Sequence, residues 1–190
     1  MNHITEQHET VDFRDRIIFP TSADPMHFGH LRTWQMARAQ FGAPVTLVIV
    51  NNDAKQDQYL FGIDERRAMA EKYKAMAPEL ADCEIMVVAD KPSIERMLKE
   101  CTTIVRKDRG EHDRDETCAI MVRYGLPDWE RKTAFFQVDE QLSSFELKRR
   151  VGEGSDASSI ALQDVIDATR KKIKCHGLLP GHFAGFLNTR

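Results

Sequence analysis

Within Asp24-Pro25-Met26-His27-Phe28-Gly29-His30, two histidines stand three positions apart and a glycine precedes the second. The stretch lies between an apolar run, Ile17-Ile18-Phe19-Pro20, and a segment that places Leu31, Trp34, Ala37 and Phe41 near one helical face before Gly42. The pattern predicts a strand, then a helix, with the histidines at the junction. A helix N-terminus offers unpaired N–H groups and a partial positive charge, which suit an anion. Gly29 would let a phosphate approach the backbone closely. The imidazoles of His27 and His30 add donors able to follow the charge of a transferring phosphoryl group. Taken alone, the same pair also reads as loop decoration or as ordinary residues opening a helix. No third and fourth ligand follow at a spacing that would make it a metal site.

Other polar residues follow apolar runs in the same way. Lys55, in Asn51-Asn52-Asp53-Ala54-Lys55, comes just after Val45-Thr46-Leu47-Val48-Ile49-Val50. It reads either as a solvated surface charge or as a phosphate contact at a strand's end. Arg106 and Arg109 lie in Ile104-Val105-Arg106-Lys107-Asp108-Arg109-Gly110-Glu111-His112-Asp113, where alternating acids and bases also describe an ion-paired surface loop. Arginine suits phosphate because its planar fork binds two oxygens at once and stays charged. Ser143-Ser144-Phe145-Glu146 has the form of a capping box, with Ser143 as N-cap and Glu146 at N3. Such a helix start is also a place for phosphate.

A scaffold that gathers these residues must bring strand ends together. Strands are expected near 16–20, 45–50, 85–88, 103–105 and 134–138, with helices near 29–41, 63–77, 93–101, 113–124, 143–151 and 160–174. The run 45–50 is the clearest strand, a continuous β-branched stretch of the kind parallel sheets bury on both faces. The alternation predicts an α/β fold: a Rossmann-like open parallel sheet with helices on both faces and right-handed crossovers. Ligands bind such sheets at the carboxyl ends of strands. Residues 1–14 read as a polar N-terminal extension, 15–176 as the domain and 177–190 as a C-terminal tail.

Composition fits one enzyme domain with a sizeable core at 190 residues. A net charge of −3 gives no nucleic-acid footprint. No apolar run reaches membrane-spanning length, and the start lacks the basic-then-apolar layout of a signal peptide. Cys83, Cys101, Cys118 and Cys175 form no CxxC pair and read as incidental thiols of a cytoplasmic protein.

The string from Ile17 to His30 resembles the opening of the HxGH nucleotidyltransferases, and within them it is most similar to phosphopantetheine adenylyltransferase. Phe61–Arg66, Ile104–Asp113 and Leu142–Phe145 follow in that family's order, so the resemblance spans about residues 16–175. It implies transfer of AMP from ATP to 4′-phosphopantetheine by direct in-line attack, with release of pyrophosphate. It also implies Mg²⁺ accompanying ATP and a homo-oligomer, commonly a hexamer. Carried onto this chain, the resemblance sets His30 at the α-phosphate with His27 supporting it, and Lys55 bridging the two substrates. Arg109, Ser143 and Ser144 would hold the departing pyrophosphate, and Ser22 and Arg106 the acceptor, with Ser22 also beside ATP. Asp115 aligns with a glutamate that contacts ATP.

Several residues depart from that pattern. Thr21 stands where the family has glycine, and a β-branched residue there would be strained if φ had to be positive. Ala23 replaces an aromatic residue, Gly62 a hydroxyl cap, and Phe145 a polar residue, while Asp108 and Glu111 add negative charge. His27-Phe28-Gly29-His30 is closer to the nicotinate and nicotinamide mononucleotide adenylyltransferases. A catalytically silent nucleotide-binding relative is the alternative of another class.

Overall fold

The computed structural model describes residues 12–51 and 58–177. Along the chain run β1 (Ile17–Thr21), α1 (Phe28–Phe41), β2 (Val45–Val50), α2 (Ile63–Ala75), β3 (Ile85–Val88) and α3 (Lys91–Glu100). Then come β4 (Thr103–Asp108), α4 (Glu111–Arg123), α5 (Trp129–Lys132), β5 (Thr133–Gln137), α6 (Ser144–Glu153) and α7 (Gln163–Cys175). The strands make one parallel sheet in the order β3-β2-β1-β4-β5. This is the α/β, Rossmann-like architecture that the alternation of elements predicts.

Strand side chains alternate between faces, so one apolar run serves two cores. Ile18, Val48 and Ile104 face α3 and α4 and pack with Ile94, Met97, Leu98 and Met121. Phe19, Leu47, Ile49 and Val105 face the other way, onto Trp34 of α1, Tyr73 of α2, Leu147 of α6 and Val165 of α7. Because α1 and α2 cover one face and α3 and α4 the other, the chain changes sides between β3 and β4. The strand order reverses between β1 and β4, where doubly wound sheets leave a crevice.

The helix after β1 is fixed locally as well as by burial. Trp34 is fully buried, and its indole Nε1–H donates to the Val45 carbonyl at 2.7 Å, tying α1 to the first residue of β2. Gly42 ends α1 with φ of +61°, a left-handed cap that glycine adopts freely. Thr21 stays within β1, so the strain anticipated there does not arise. The left-handed residue is Ala23, with φ of +49°, and its N–H donates to the Thr21 hydroxyl at 3.2 Å.

Three features differ from the sequence expectation. β4 continues through Arg106, Lys107 and Asp108, because its polar end faces a cleft rather than an apolar layer. Trp129–Lys132 forms a short extra helix leading into β5. Phe13, grouped by sequence with the polar extension, is buried in the core on the α3–α4 side.

Candidate active site

The carboxyl ends of β1 and β4 open into a cleft of about 450 Å³, whose walls include Ser22, His30, Arg106, Lys107, Arg109, Ser143 and Ser144. Lys55 lies outside the described residues. Asp115 is exposed and not part of this wall; Asp113 and Glu116, on the neighbouring turn of α4, are.

His27 is the N-cap of α1, and its Nδ1 accepts the Gly29 N–H at 3.0 Å. A backbone N–H can only donate, so Nδ1 carries the lone pair and the proton of the neutral ring sits on Nε2. That Nε2–H is buried without a hydrogen-bond partner among the described residues. His30 lies one turn on, its ring centroid 3.9 Å from that of His27, and it is the histidine that reaches the cleft. Burial, first of all, holds both imidazoles well below their ordinary pKa; His27 beside His30, and Lys107 and Arg109 beside both, act in the same direction. Two neutral rings result, suited to donating rather than to carrying charge.

The backbone of this helix start is less open than the sequence implies. The Phe28 N–H donates to the Ile160 carbonyl at 2.8 Å, and the Gly29 N–H is taken by His27. A Cβ added to Gly29 would lie 2.7 Å from the Leu142 carbonyl oxygen and 2.7 Å from His27 Cε1. Gly29 therefore makes room for the His27 ring and for the chain entering α6, not for a phosphate, which corrects the close-approach reading. The freer helix start is that of α6. Ser143 caps it, its Oγ accepting the Glu146 N–H at 3.0 Å. The N–H groups of Ser144 and Phe145 face no acceptor among the described residues. Glu146 does not complete the capping box, since its carboxylate turns to Arg149 and Arg150. The Ser144 hydroxyl donates to the Pro25 carbonyl at 2.9 Å, so α6 is pinned to the loop before α1.

β4 delivers cations to both sides of the sheet by its two-residue period. Arg106 turns toward α4, where its Nε donates to the Thr117 hydroxyl at 3.1 Å and Nη1 reaches the Pro20 carbonyl at 3.4 Å. Lys107 turns the opposite way, and its Nζ lies 3.2 Å from His30 Nε2. Arg109, just past the strand, is held by Asp113 through Nε at 2.8 Å and Nη2 at 2.7 Å. Asp108, whose added charge departs from the resembled pattern, is neutralised by Arg114 at 2.6 Å and accepts the Gly110 N–H at 3.0 Å. It shapes the turn and leaves the cleft's positive balance intact.

Two further clamps went unread in the sequence. Asp24 is buried, accepts the Leu60 and Phe61 N–H groups at 2.9 Å each, and pairs with Lys148 of α6 at 2.7 Å. One carboxylate thus joins the first loop, the chain before α2 and α6. Arg66 of α2 is buried beneath the ends of β1 and β2 and donates to the Ser22 carbonyl at 2.9 Å and to Asn51 Oδ1 at 2.5 Å. Tyr59 stacks on its guanidinium, 4.1 Å from ring centroid to Cζ. The Phe61–Arg66 segment was legible as a helix start, but not as a clamp, because burial of a lone arginine has no sequence signal. Ser22 itself is exposed at the cleft.

Among the described residues, no three His, Cys, Asp or Glu side chains converge as a metal site. The buried carboxylates of the cleft, Asp24 and Asp113, are already held by Lys148 and Arg109. The cleft is thus a set of fixed N–H, hydroxyl and cationic donors, an arrangement for binding and polarising phosphates. No described helix is long and apolar enough to cross a membrane.

A solved structure titled as a macrolide-efflux protein from Streptococcus pneumoniae is similar over 76% of this chain, with 15% identity and a TM-score of 0.48. The chain spans 55% of that protein's length, and at this identity and score the likeness says nothing about activity. The family model for cytidylyltransferase-like proteins matches residues 18–152, from β1 into α6 and so across the histidines, the end of β4 and the Ser143–Ser144 helix start. By that match, the chain belongs to the cytidylyltransferase-like family, within the HxGH nucleotidyltransferase superfamily.

Proposed function

We propose that the protein transfers AMP from ATP to 4′-phosphopantetheine, forming dephospho-coenzyme A and pyrophosphate. The observation that carries this reading is the paired neutral histidines, with His30 at the cleft wall between the cations of β4 and the open N-terminus of α6. An oxygen of the acceptor phosphate attacks the α-phosphorus in line. The bond to the bridging oxygen breaks, and pyrophosphate leaves with the electron pair. The attacking oxygen is already ionised, so no general base is required and catalysis is positioning plus charge stabilisation.

In this account His30 meets the α-phosphate, with His27 behind it fixing its place. Arg109 and the Ser143–Ser144 helix start receive the β- and γ-phosphates, and Ser22 and Arg106 hold the acceptor. Lys55 bridges the two substrates. Magnesium arrives with ATP as part of the substrate complex, which suits an ion that prefers phosphate oxygens and water to a protein cage.

The test is pyrophosphate release from ATP and Mg²⁺ with 4′-phosphopantetheine and nicotinamide mononucleotide offered separately. Release with the first alone supports this reading. Release with the second alone assigns the chain to mononucleotide transfer, the reading favoured by the His27-Phe28-Gly29-His30 string.

A further inference from the structure

Lys107 is not among the residues to which the resemblance gives a role. Its ammonium lies 3.2 Å from His30 Nε2, on the cleft wall. The lysine has no ion-pair partner among the described residues, although carboxylates lie nearby. Asp113, a buried acid of the cleft wall, is committed to Arg109 by two side-chain bonds, and Asp108 is committed to Arg114. His30 of α1 touches Lys107, and the charges that act on it from further off are Arg106 and Arg109 at the end of β4 and Asp113 and Glu116 of α4. No carboxylate among the described residues touches the Lys107 ammonium, and the cleft it borders is where an anion would enter.

We propose that Lys107 is a phosphate ligand of this site, acting together with His30 on the α-phosphate of the bound nucleotide. This assignment rests on the nucleotidyl-transfer reading above, and it adds a catalytic residue to it. In the free protein a 3.2 Å contact between two nitrogens requires one donor and one acceptor. With Lys107 charged, it donates to His30 Nε2 and the ring's own proton sits on Nδ1, which is buried without a partner among the described residues. With Lys107 neutral, it accepts from an Nε2–H. An incoming phosphate accepts from both side chains at once, which favours charged lysine and a histidine donating through Nε2. Burial, then the Arg109 charge, push the lysine down to about 7 in the free protein, so near neutral pH the phosphate draws a proton onto it.

The experiment compares the wild type with Lys107→Met and Lys107→Arg. Pyrophosphate release is followed between about pH 6 and 9, and calorimetric binding of α,β-methylene-ATP with Mg²⁺ is measured in two buffers of different ionisation heat. Methionine matches the stem and removes the charge, so melting temperature reports whether the variant folds. The expected result is a kcat about 10²- to 10³-fold lower in Lys107→Met with a smaller change in KM, partly restored in Lys107→Arg. Nucleotide binding above neutral pH takes up a proton in the wild type and none in Lys107→Met. Unchanged kcat and equal proton uptake in a folded Lys107→Met overturn the assignment. If the wild type binds nucleotide but releases no pyrophosphate with either acceptor, the transfer reading fails. Lysine-dependent proton uptake would then still establish Lys107 as a phosphate ligand, and its absence would remove that role too.

Discussion

Replacing Gly29 by alanine separates two explanations of the same glycine. At an ordinary helical position the change stabilises by about 1 kcal/mol, because alanine orders more readily. Here the new methyl would meet the Leu142 carbonyl oxygen at 2.7 Å, Leu142 Cβ at 2.9 Å and His27 Cε1 at 2.7 Å. One of these is main chain, pinned through Ser143 and Ser144 to α6, so the clash is not relieved by a flexible tip. Overpacking of this kind costs about 1–3 kcal/mol, and a main-chain contact belongs at the upper end. The net expectation is a loss of about 2 kcal/mol, or a melting temperature about 4–8 °C lower for a domain of this size. Thermal unfolding read by circular dichroism measures it, and nucleotide binding should weaken in parallel because His27 and the α6 start are displaced. A melting temperature that is unchanged or raised would refute the packing argument. Raised stability with weakened nucleotide binding would restore phosphate approach as the glycine's purpose.

Asp24→Asn should cost about 3 kcal/mol in chemical denaturation, since an amide nitrogen would face either a backbone N–H or the Lys148 ammonium. A loss under about 1 kcal/mol would mean that the carboxylate is not the staple described. Both histidines are held well below their ordinary pKa, chiefly by burial. Below about pH 6.5 the unfolded chain therefore takes up protons that the native state refuses, and stability falls by up to about 1.4 kcal/mol per pH unit for each ring. His30→Gln should roughly halve that slope between about pH 6.5 and 5, above the range where carboxylates respond. Stability independent of pH across that window would contradict the burial of neutral rings.

The sheet is legible because β1, β2 and β3 are short, largely apolar runs rich in β-branched residues, and Val45–Val50 and Ile85–Val88 match their expected limits. The apolar pattern of β4 ends at Val105 while the strand runs to Asp108, because charge hides a strand whose end faces a cleft. Extending it by its own period puts Lys107 on the same face as Val105, toward α1 and His30, and that register is the sequence signal for the Lys107–His30 contact. Asp113 and Arg66 carry no pattern of their own; their meaning lies in pairings across 4 residues and between elements that folding alone reveals. Asp115 is exposed, one helical step from Asp113 and Glu116, which do line the cleft, because a run of charges at a helix start does not show which of them turns inward.

The reading to be tested most directly is transfer of AMP from ATP to 4′-phosphopantetheine with His30 at the reacting phosphate. The direct measurement is to incubate α-phosphate-labelled ATP, Mg²⁺ and 4′-phosphopantetheine with the wild type and with His30→Ala, counting label in the acceptor and pyrophosphate released. The wild type should give equal amounts of the two products, and turnover should be about 10³-fold lower in a folded His30→Ala. Unlabelled acceptor, or a His30→Ala protein as fast as the wild type, would contradict that reading.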